Sequence, residues 1–325
     1  MPQLTYREAI RVGLEEALAA NPETVIMGED VGAYGGSYAV TKGFLEQYGE
    51  ERIIDTPISE SGFVGAGIGA AIAGMRPIVE IMTINFSLLA MDQIVNLAAK
   101  ARYMSGGQMT VPLVIRTVSG GGNMLAATHS QSLEAWYARV PGIKVVTPSN
   151  PADALGLFRS AMADPNPVMY VEHSLLYGSR AEVPDEPYTV PIGSASVARP
   201  GTDVSIIAYL RMTPVALSAA DILEAEGISA EVIDLRSLLP LDSGTIIDSV
   251  NRTNRAVVVE ETWEFGGFAG EVIAQINERA FDSLDAPVLR VAGVNVPTPY
   301  SRPLELLTIP TAEAVADKVR SLFQA

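Results

Sequence analysis

Cysteine is absent from all 325 residues, which excludes disulfides, thiolate zinc sites and thiol nucleophiles. Histidine is nearly absent. Only His129 and His173 occur, too far apart in sequence to make a credible transition-metal site. Positive charge is scarce as well: 22 Lys and Arg stand against 38 Asp and Glu, for a net charge of −16. An acidic surface repels phosphates, so a nucleic-acid-binding role is excluded, and a partner carrying a basic patch is favoured. Long apolar runs are missing too. The longest stretch without polar side chains, residues 62–75, is too short and too rich in glycine to span a bilayer, so no membrane role is expected. The first eight residues show neither a charged-then-apolar signal nor Arg/Ser-rich transit character, so the expected location is cytoplasmic.

Hydrophobic residues make up 48% of the chain. That content, at this length, predicts two domains with well-filled interiors. Thr5 and Glu8 fit a capping box ahead of a helix that repeats Ile10, Leu14, Ala17 and Leu18 on one face. Short apolar strands are predicted at 24–27, 76–82, 112–117, 143–147 and 167–172. Helices are predicted at 86–103, 129–140 and 150–164, the last with Asn150 as its cap and Pro151 at its first position. This alternation indicates a buried parallel sheet. Between 178 and 200 the pattern fails, and Pro184, Pro187, Pro191 and Pro200 indicate a surface linker. Alternation then resumes with strands at 203–209, 229–235, 256–260 and 288–291. The fold class is therefore α/β, in two doubly wound domains covering 1–190 and 191–325, the second smaller.

Three glycine-rich stretches invite a nucleotide reading. Gly65-Ala66-Gly67-Ile68-Gly69-Ala70 resembles part of a dinucleotide fingerprint but has no strand directly before it, so a helix of small residues allowing close approach is preferred. Gly120-Gly121-Gly122 is not followed by Gly-Lys-Ser/Thr and is read as a loop. Gly28-Glu29-Asp30-Val31-Gly32 alone reads as a turn. His173 ends a strand and is given a structural role. His129 is predicted to start a helix, where catalytic and capping roles stand level. Glu60 lies between an extended segment and the small-residue helix, with no Lys or Arg until Arg76. Two readings arise, a desolvated carboxyl with chemical work to do or a helix-terminal Glu facing water, and the residues alone favour the second.

Taken together, Gly28-Glu29-Asp30-Val31, Arg52-Ile53-Ile54-Asp55-Thr56-Pro57-Ile58-Ser59-Glu60, Gly74-Met75-Arg76-Pro77-Ile78, Met91-Asp92-Gln93-Ile94-Val95-Asn96, Tyr103-Met104-Ser105-Gly106-Gly107 and His129-Ser130-Gln131-Ser132 occur in an order that resembles one family. It is that of the β subunits of 2-oxo acid dehydrogenases, with pyruvate, acetoin and branched-chain members. The resemblance runs from about Leu4 to the end. It implies a transketolase-like fold, with a pyrimidine-binding domain followed by a smaller C-terminal α/β domain. It implies a heterotetramer of two α and two β chains that shares thiamine diphosphate between them. The α subunit would hold magnesium through a Gly-Asp-Gly motif, which this sequence lacks.

Residue by residue, the resemblance sets Glu60 against the cofactor's aminopyrimidine, where a carboxyl sharing a proton with the ring nitrogen promotes activation. Phe86 and Ile58 match the apolar residues beside the pyrimidine. His129 matches a histidine that assists proton transfer as the acyl group passes to the lipoyl arm. Leu113, Ala161, Met162, Asp164 and Asn166 match positions that bind potassium in some members, although Pro165 alters that loop. A dihydrolipoyl acyltransferase core would be the second partner, its basic peripheral domain suited to an acidic chain. Pyruvate is the favoured 2-oxo acid on the stretch Thr83-Ile84-Asn85-Phe86-Ser87. Acetoin or branched-chain 2-oxo acids are the alternatives. Other classes weighed are a stand-alone NAD-dependent dehydrogenase, a non-catalytic assembly subunit and a single-chain thiamine enzyme such as a transketolase. The first lacks the strand before Gly65, the second does not explain Glu60 with His129, and the third needs a longer chain and a diphosphate motif.

Overall fold

The computed structural model describes residues 2–323, which cluster into two compact units. The first comprises the residues up to Ser119 with Trp136–Ile192. The second comprises Gly120–Ala135 with the residues from Gly193 onward. Among the described residues no helix is long and apolar enough to cross a membrane.

The first unit opens with helix α1 (Tyr6–Ala20). Thr5 caps it as the sequence predicts: its hydroxyl accepts from Glu8 N, and the Glu8 carboxylate accepts from Thr5 N at 2.7 Å. Such a cap is worth about 1 kcal/mol. Six strands follow, β1 (Thr24–Gly28), β2 (Ile53–Asp55), β3 (Arg76–Ile81), β4 (Val114–Ser119), β5 (Lys144–Val146) and β6 (Val168–His173), and they lie side by side in the order β5-β6-β4-β3-β1-β2. Every pairing among them is parallel. β4 and β6 are buried along their whole length, as apolar strands covered on both faces must be. Arg116 on β4 is the exception in kind. Its guanidinium is buried and pairs with Glu80 on β3 and Glu172 on β6.

Helix α2 (Glu60–Ile72) shows what its small residues are for. A Cβ on Gly67 would come within 2.5 Å of Val79 Cγ2, so only glycine lets this helix sit so close to β3. Helix α3 (Pro151–Ala163) starts as expected, with the Asn150 side chain accepting from Asp153 N at 2.9 Å. The helix predicted over 86–103 does not form as one piece. It is a 3₁₀ segment (Ile84–Ala90), a π segment (Gln93–Ala98) and one α turn (Ala101–Met104). Ser87 Oγ donates to Ile84 O three residues back, and a hydroxyl competing for the backbone in this way favours the tighter turn. The stretch read as a linker is partly ordered, since Arg180–Glu182 pairs antiparallel with Gln3–Thr5.

The second unit has the sheet order β11-β10-β8-β9-β7, from β7 (Ser196–Arg199), β8 (Val204–Ala208), β9 (Ala230–Asp234), β10 (Ala256–Trp263) and β11 (Leu289–Gly293). All neighbours are parallel except the edge strand β7. Helices α4 (Met212–Glu224), α5 (Ser243–Thr253), α6 (Ala269–Ala280) and α7 (Ala312–Ser321) are its longer helices. Glu260 on β10 is fully buried. One carboxylate oxygen accepts from Ala269 N at 3.0 Å, and the other has no partner. Burial pushes this carboxyl up to about 7, with the nearby Glu134 adding to the effect.

A carboxyl raised in the folded state contributes stability that is present below its unfolded value near 4.5 and lost as pH rises through about 7. Glu260→Gln removes that titration, so its melting temperature should gain on the parent between pH 5 and pH 8 by a few degrees in thermal melts. Parallel profiles for the two proteins would show that Glu260 does not titrate in this window.

Candidate active site

Strand order reverses at β1, which has β2 on one side and β3 on the other. Chain segments leaving the carboxyl ends of these strands diverge there, which is where an open α/β sheet usually binds its ligand. Glu29 directly follows β1. Residues 56–59 follow β2 and lead into Glu60, the first residue of α2. Residues 83–86 follow β3. Thr56 N donates to Gly28 O at 3.0 Å and ties the second segment to the first.

Glu60 therefore stands at the start of a thirteen-residue helix, where the helix dipole favours a carboxylate. It is only 3% exposed, so the reading of a water-facing Glu60 does not hold. Its neighbour in space is a second buried carboxyl, Glu29. Burial first, then the negative charge of Glu60 and of Asp30, holds Glu29 above the ordinary carboxylate range. Glu29 Oε1 is buried without a partner, and so are Thr56 Oγ1, Thr83 Oγ1 and Asn85 Nδ2. A dry, unpaired polar atom costs about 1–3 kcal/mol, and four of them around the ends of three adjacent strands call for a polar occupant. Phe86 is half-buried, and Ile58 is 86% exposed. The sequence reading missed Glu29, Thr83 and Asn85. The available signal was an acidic residue directly after an apolar strand, which was read as a turn.

His129 belongs to the second unit. It does not begin a helix: the predicted 129–140 helix is confined to Glu134–Ala138, and His129 lies in a bend. The backbone just before it is committed to partners distant in sequence. Gly121 N donates to Glu261, Gly122 N and Met124 N donate to Glu305, and Gly120 N donates to Gln131 O at 3.1 Å. His129 is exposed, with Nδ1 2.9 Å from Thr128 Oγ1. His173 is buried at the end of β6, and its Nδ1 accepts from Leu175 N at 3.2 Å, a capping role.

The positions matched to potassium do lie together. Val111 N donates to Pro165 O and Val168 N to Leu113 O, while Asp164 N donates to Ala161 O and Asn166 N to Asp164 Oδ1. Two cations of the chain already use this cluster, with Arg76 on Met162 O at 2.8 Å and Lys144 on the Asp164 carboxylate.

The family model for the transketolase pyrimidine-binding domain matches residues 2–179, and that for the transketolase C-terminal domain matches residues 193–315. The mitochondrial pyruvate dehydrogenase E1 component subunit beta-2 of Oryza sativa subsp. japonica is 49% identical over 317 residues, covering 96% of this chain and 84% of that one. Pyruvate dehydrogenase E1 component subunit beta of Rhizobium meliloti is 46% identical over 323 residues, covering 99% and 70%. Among solved structures, a split-gene transketolase described as an inactive β4 tetramer superposes with a TM-score of 0.81 at 25% identity, covering 99% of this chain and 98% of that one.

The coupling of the two carboxylates is directly measurable. Glu60→Gln should lower the Glu29 carboxyl toward the ordinary range without reaching it, because burial is the larger cause. Infrared titration of the carboxyl bands would follow it, and an unmoved Glu29 would show that the two groups do not interact.

Proposed function

We propose the function from one premise: this chain belongs to the family of pyruvate dehydrogenase E1 component β subunits, and it has the family's transketolase-type domains. It is the β subunit of a thiamine-diphosphate-dependent 2-oxo acid dehydrogenase, an oxidoreductase that works with an α subunit in the oxidative decarboxylation of pyruvate and acyl transfer to lipoyl groups. The observation that best supports the site is the pair of buried carboxyls, Glu60 and Glu29, at strand ends that also carry buried polar atoms without partners.

When bound, thiamine diphosphate supplies the electron sink for decarboxylation. The buried carboxyls and unpartnered polar atoms at these strand ends suit the donors and acceptors of its aminopyrimidine. Glu60 would hold a proton against a ring nitrogen, out of reach of bulk water, and Glu29 beside it would make a second negative charge costly. Phe86 and Ile58 would supply the apolar walls. His129 would move a proton as the acyl group passes to the lipoyl arm.

The assembly we propose is two α and two β chains, with magnesium and the diphosphate held mainly by α. The net charge of −16 suits docking to the basic peripheral domain of a dihydrolipoyl acyltransferase core. We place the complex in the cytoplasm. A potassium ion in loop 161–166 would share Met162 O with Arg76 and the Asp164 carboxylate with Lys144, a poor setting for a third positive charge, and no step is assigned to it.

Pyruvate-dependent reduction of an artificial electron acceptor, with thiamine diphosphate and magnesium, tests the reading. Activity should appear only when the chain is co-expressed with an α subunit. A tetramer inactive on pyruvate would redirect the substrate to acetoin or branched-chain 2-oxo acids. In the active tetramer, Glu60→Gln should leave assembly intact and lower turnover by roughly 100-fold or more, the range of a lost acid–base group; near-normal turnover would remove Glu60 from the mechanism. His129→Ala should slow acyl transfer to lipoamide more than acceptor-linked decarboxylation, and equal losses would contradict its role.

A further inference from the structure

The loop that carries His129 is built on carboxylates. Positive φ recurs at every second residue along its rising limb: Gly120 (88°), Gly122 (97°), Met124 (58°) and Ala126 (64°). Left-handed residues alternating in this way turn backbone N–H groups to one side and make an anion-binding concavity. In many proteins such a nest takes phosphate. Here the protein fills it with its own side chains. Glu305, fully buried on the helical turn Arg302–Leu306, accepts from Gly122 N through Oε1 and from Met124 N through Oε2, each at 2.9 Å. Glu261 on β10 accepts from Gly121 N at 2.8 Å and is itself paired with Arg211.

The falling limb is pinned as well. Thr298 Oγ1 donates to Ser130 O at 3.2 Å, and Thr262 Oγ1 donates to Ser132 O at 2.9 Å. Gly120 N closes the loop on Gln131 O. Its foot is buried and fixed, whereas its apex, including Thr128 and His129, is exposed. Met124 and Ala126 hold a backbone conformation that L side chains disfavour, so the surroundings must impose it. A run of three glycines has no local preference strong enough to do so. The Glu305 carboxylate, held on Met124 N, is a group that can.

We propose that Glu305, assisted by Glu261, is a positioning residue for the acyl-transfer half of the reaction: its buried carboxylate sets the loop that presents His129. This rests on the His129 role proposed above. Glu305 is specific in its demands. Glutamine has one acceptor oxygen where the carboxylate has two, so it would leave an N–H donor facing its own NH2 group. Aspartate keeps both oxygens but withdraws them by one carbon.

The test uses the assembled two-α two-β enzyme with thiamine diphosphate and magnesium, and two readouts: acceptor-linked pyruvate turnover and acetylation of free lipoamide. Glu305→Gln should slow lipoamide acetylation roughly tenfold, about what one charge-assisted hydrogen bond is worth, and slow acceptor-linked turnover less. Glu305→Asp should recover part of the loss. The double variant with His129→Ala should be no slower than His129→Ala alone, because a positioning residue has nothing left to position. Additive losses, or equal losses in both readouts, would overturn the proposal. Hydrogen exchange at the amides of Gly121, Gly122 and Met124 reads the clamp separately. Protection should be present in the parent and weakened at Gly122 or Met124 in Glu305→Gln, and unprotected parent amides would overturn it. If Glu305→Gln fails to assemble, Glu261→Gln carries the same comparison at Gly121. Failure of the His129 role appears instead in the single variant, as an unchanged His129→Ala rate with the amides still protected.

Discussion

The buried guanidinium of Arg116 is the interaction on which the arrangement of the first unit depends. It is 2% exposed and lies between the carboxylates of Glu80 and Glu172, so three neighbouring strands, β3, β4 and β6, are joined by charge inside an otherwise apolar sheet. Those two carboxylates hold Arg116 charged, its pKa well above the ordinary guanidinium range in spite of burial. Tyr177 donates to Glu172 at 2.6 Å and packs against Tyr6 and Tyr38, extending the network to α1 and the loop after β1. Such a cluster need not add net stability over a hydrophobic equivalent, yet removing one member strands the others at a cost of about 3–5 kcal/mol. Its effect is to fix which strand lies next to which. Once β3 is held against β4, its other edge takes β1, and a Cβ on Gly28 would come within 2.5 Å of Glu80 O. That lateral order is what brings Glu29 and Glu60 together at the strand ends.

Much of this was legible in the sequence. Thr5 with Glu8, Asn150 before Pro151, and the short β-branched runs each carry a local instruction strong enough to survive folding, and the α/β class follows from their alternation. Two helices were misjudged, for reasons a hydrophobic pattern does not carry. Residues 86–103 have helical periodicity, but a Ser87 hydroxyl that bonds its own backbone shifts the winding locally. Residues 129–140 follow a backbone whose N–H groups are claimed by Glu261 and Glu305, which lie far away in sequence.

The site was legible to a different depth. Glu60 could be singled out as a carboxyl with no cation nearby, yet whether it faced water or the interior depended on how α2 seats on β3, which is decided by the absence of side chains at positions such as Gly67. Glu29 offers only its place directly after an apolar strand, a pattern that reads as a turn. Its importance comes from standing beside Glu60, and strand order, not sequence distance, sets that. The potassium positions show the reverse case. Backbone carbonyls leave no mark on a sequence, and the side chains that compete for them, Arg76 and Lys144, become visible only once the loop is folded.

The membership of Gly120–Ala135 in the second unit has a consequence for how the protein is made. Synthesis proceeds from the N-terminus, and domains fold as they emerge. The segment bearing His129 leaves the ribosome right after β4, while the strands it will rest on and the turn bearing Glu305 are still untranslated. During that interval the glycine run has no carboxylate to fill its concavity and no reason to hold its left-handed turns. The loop bearing His129 therefore gains its carboxylate contacts only when the chain is almost complete, so a truncated product could fold its first sheet and still lack them.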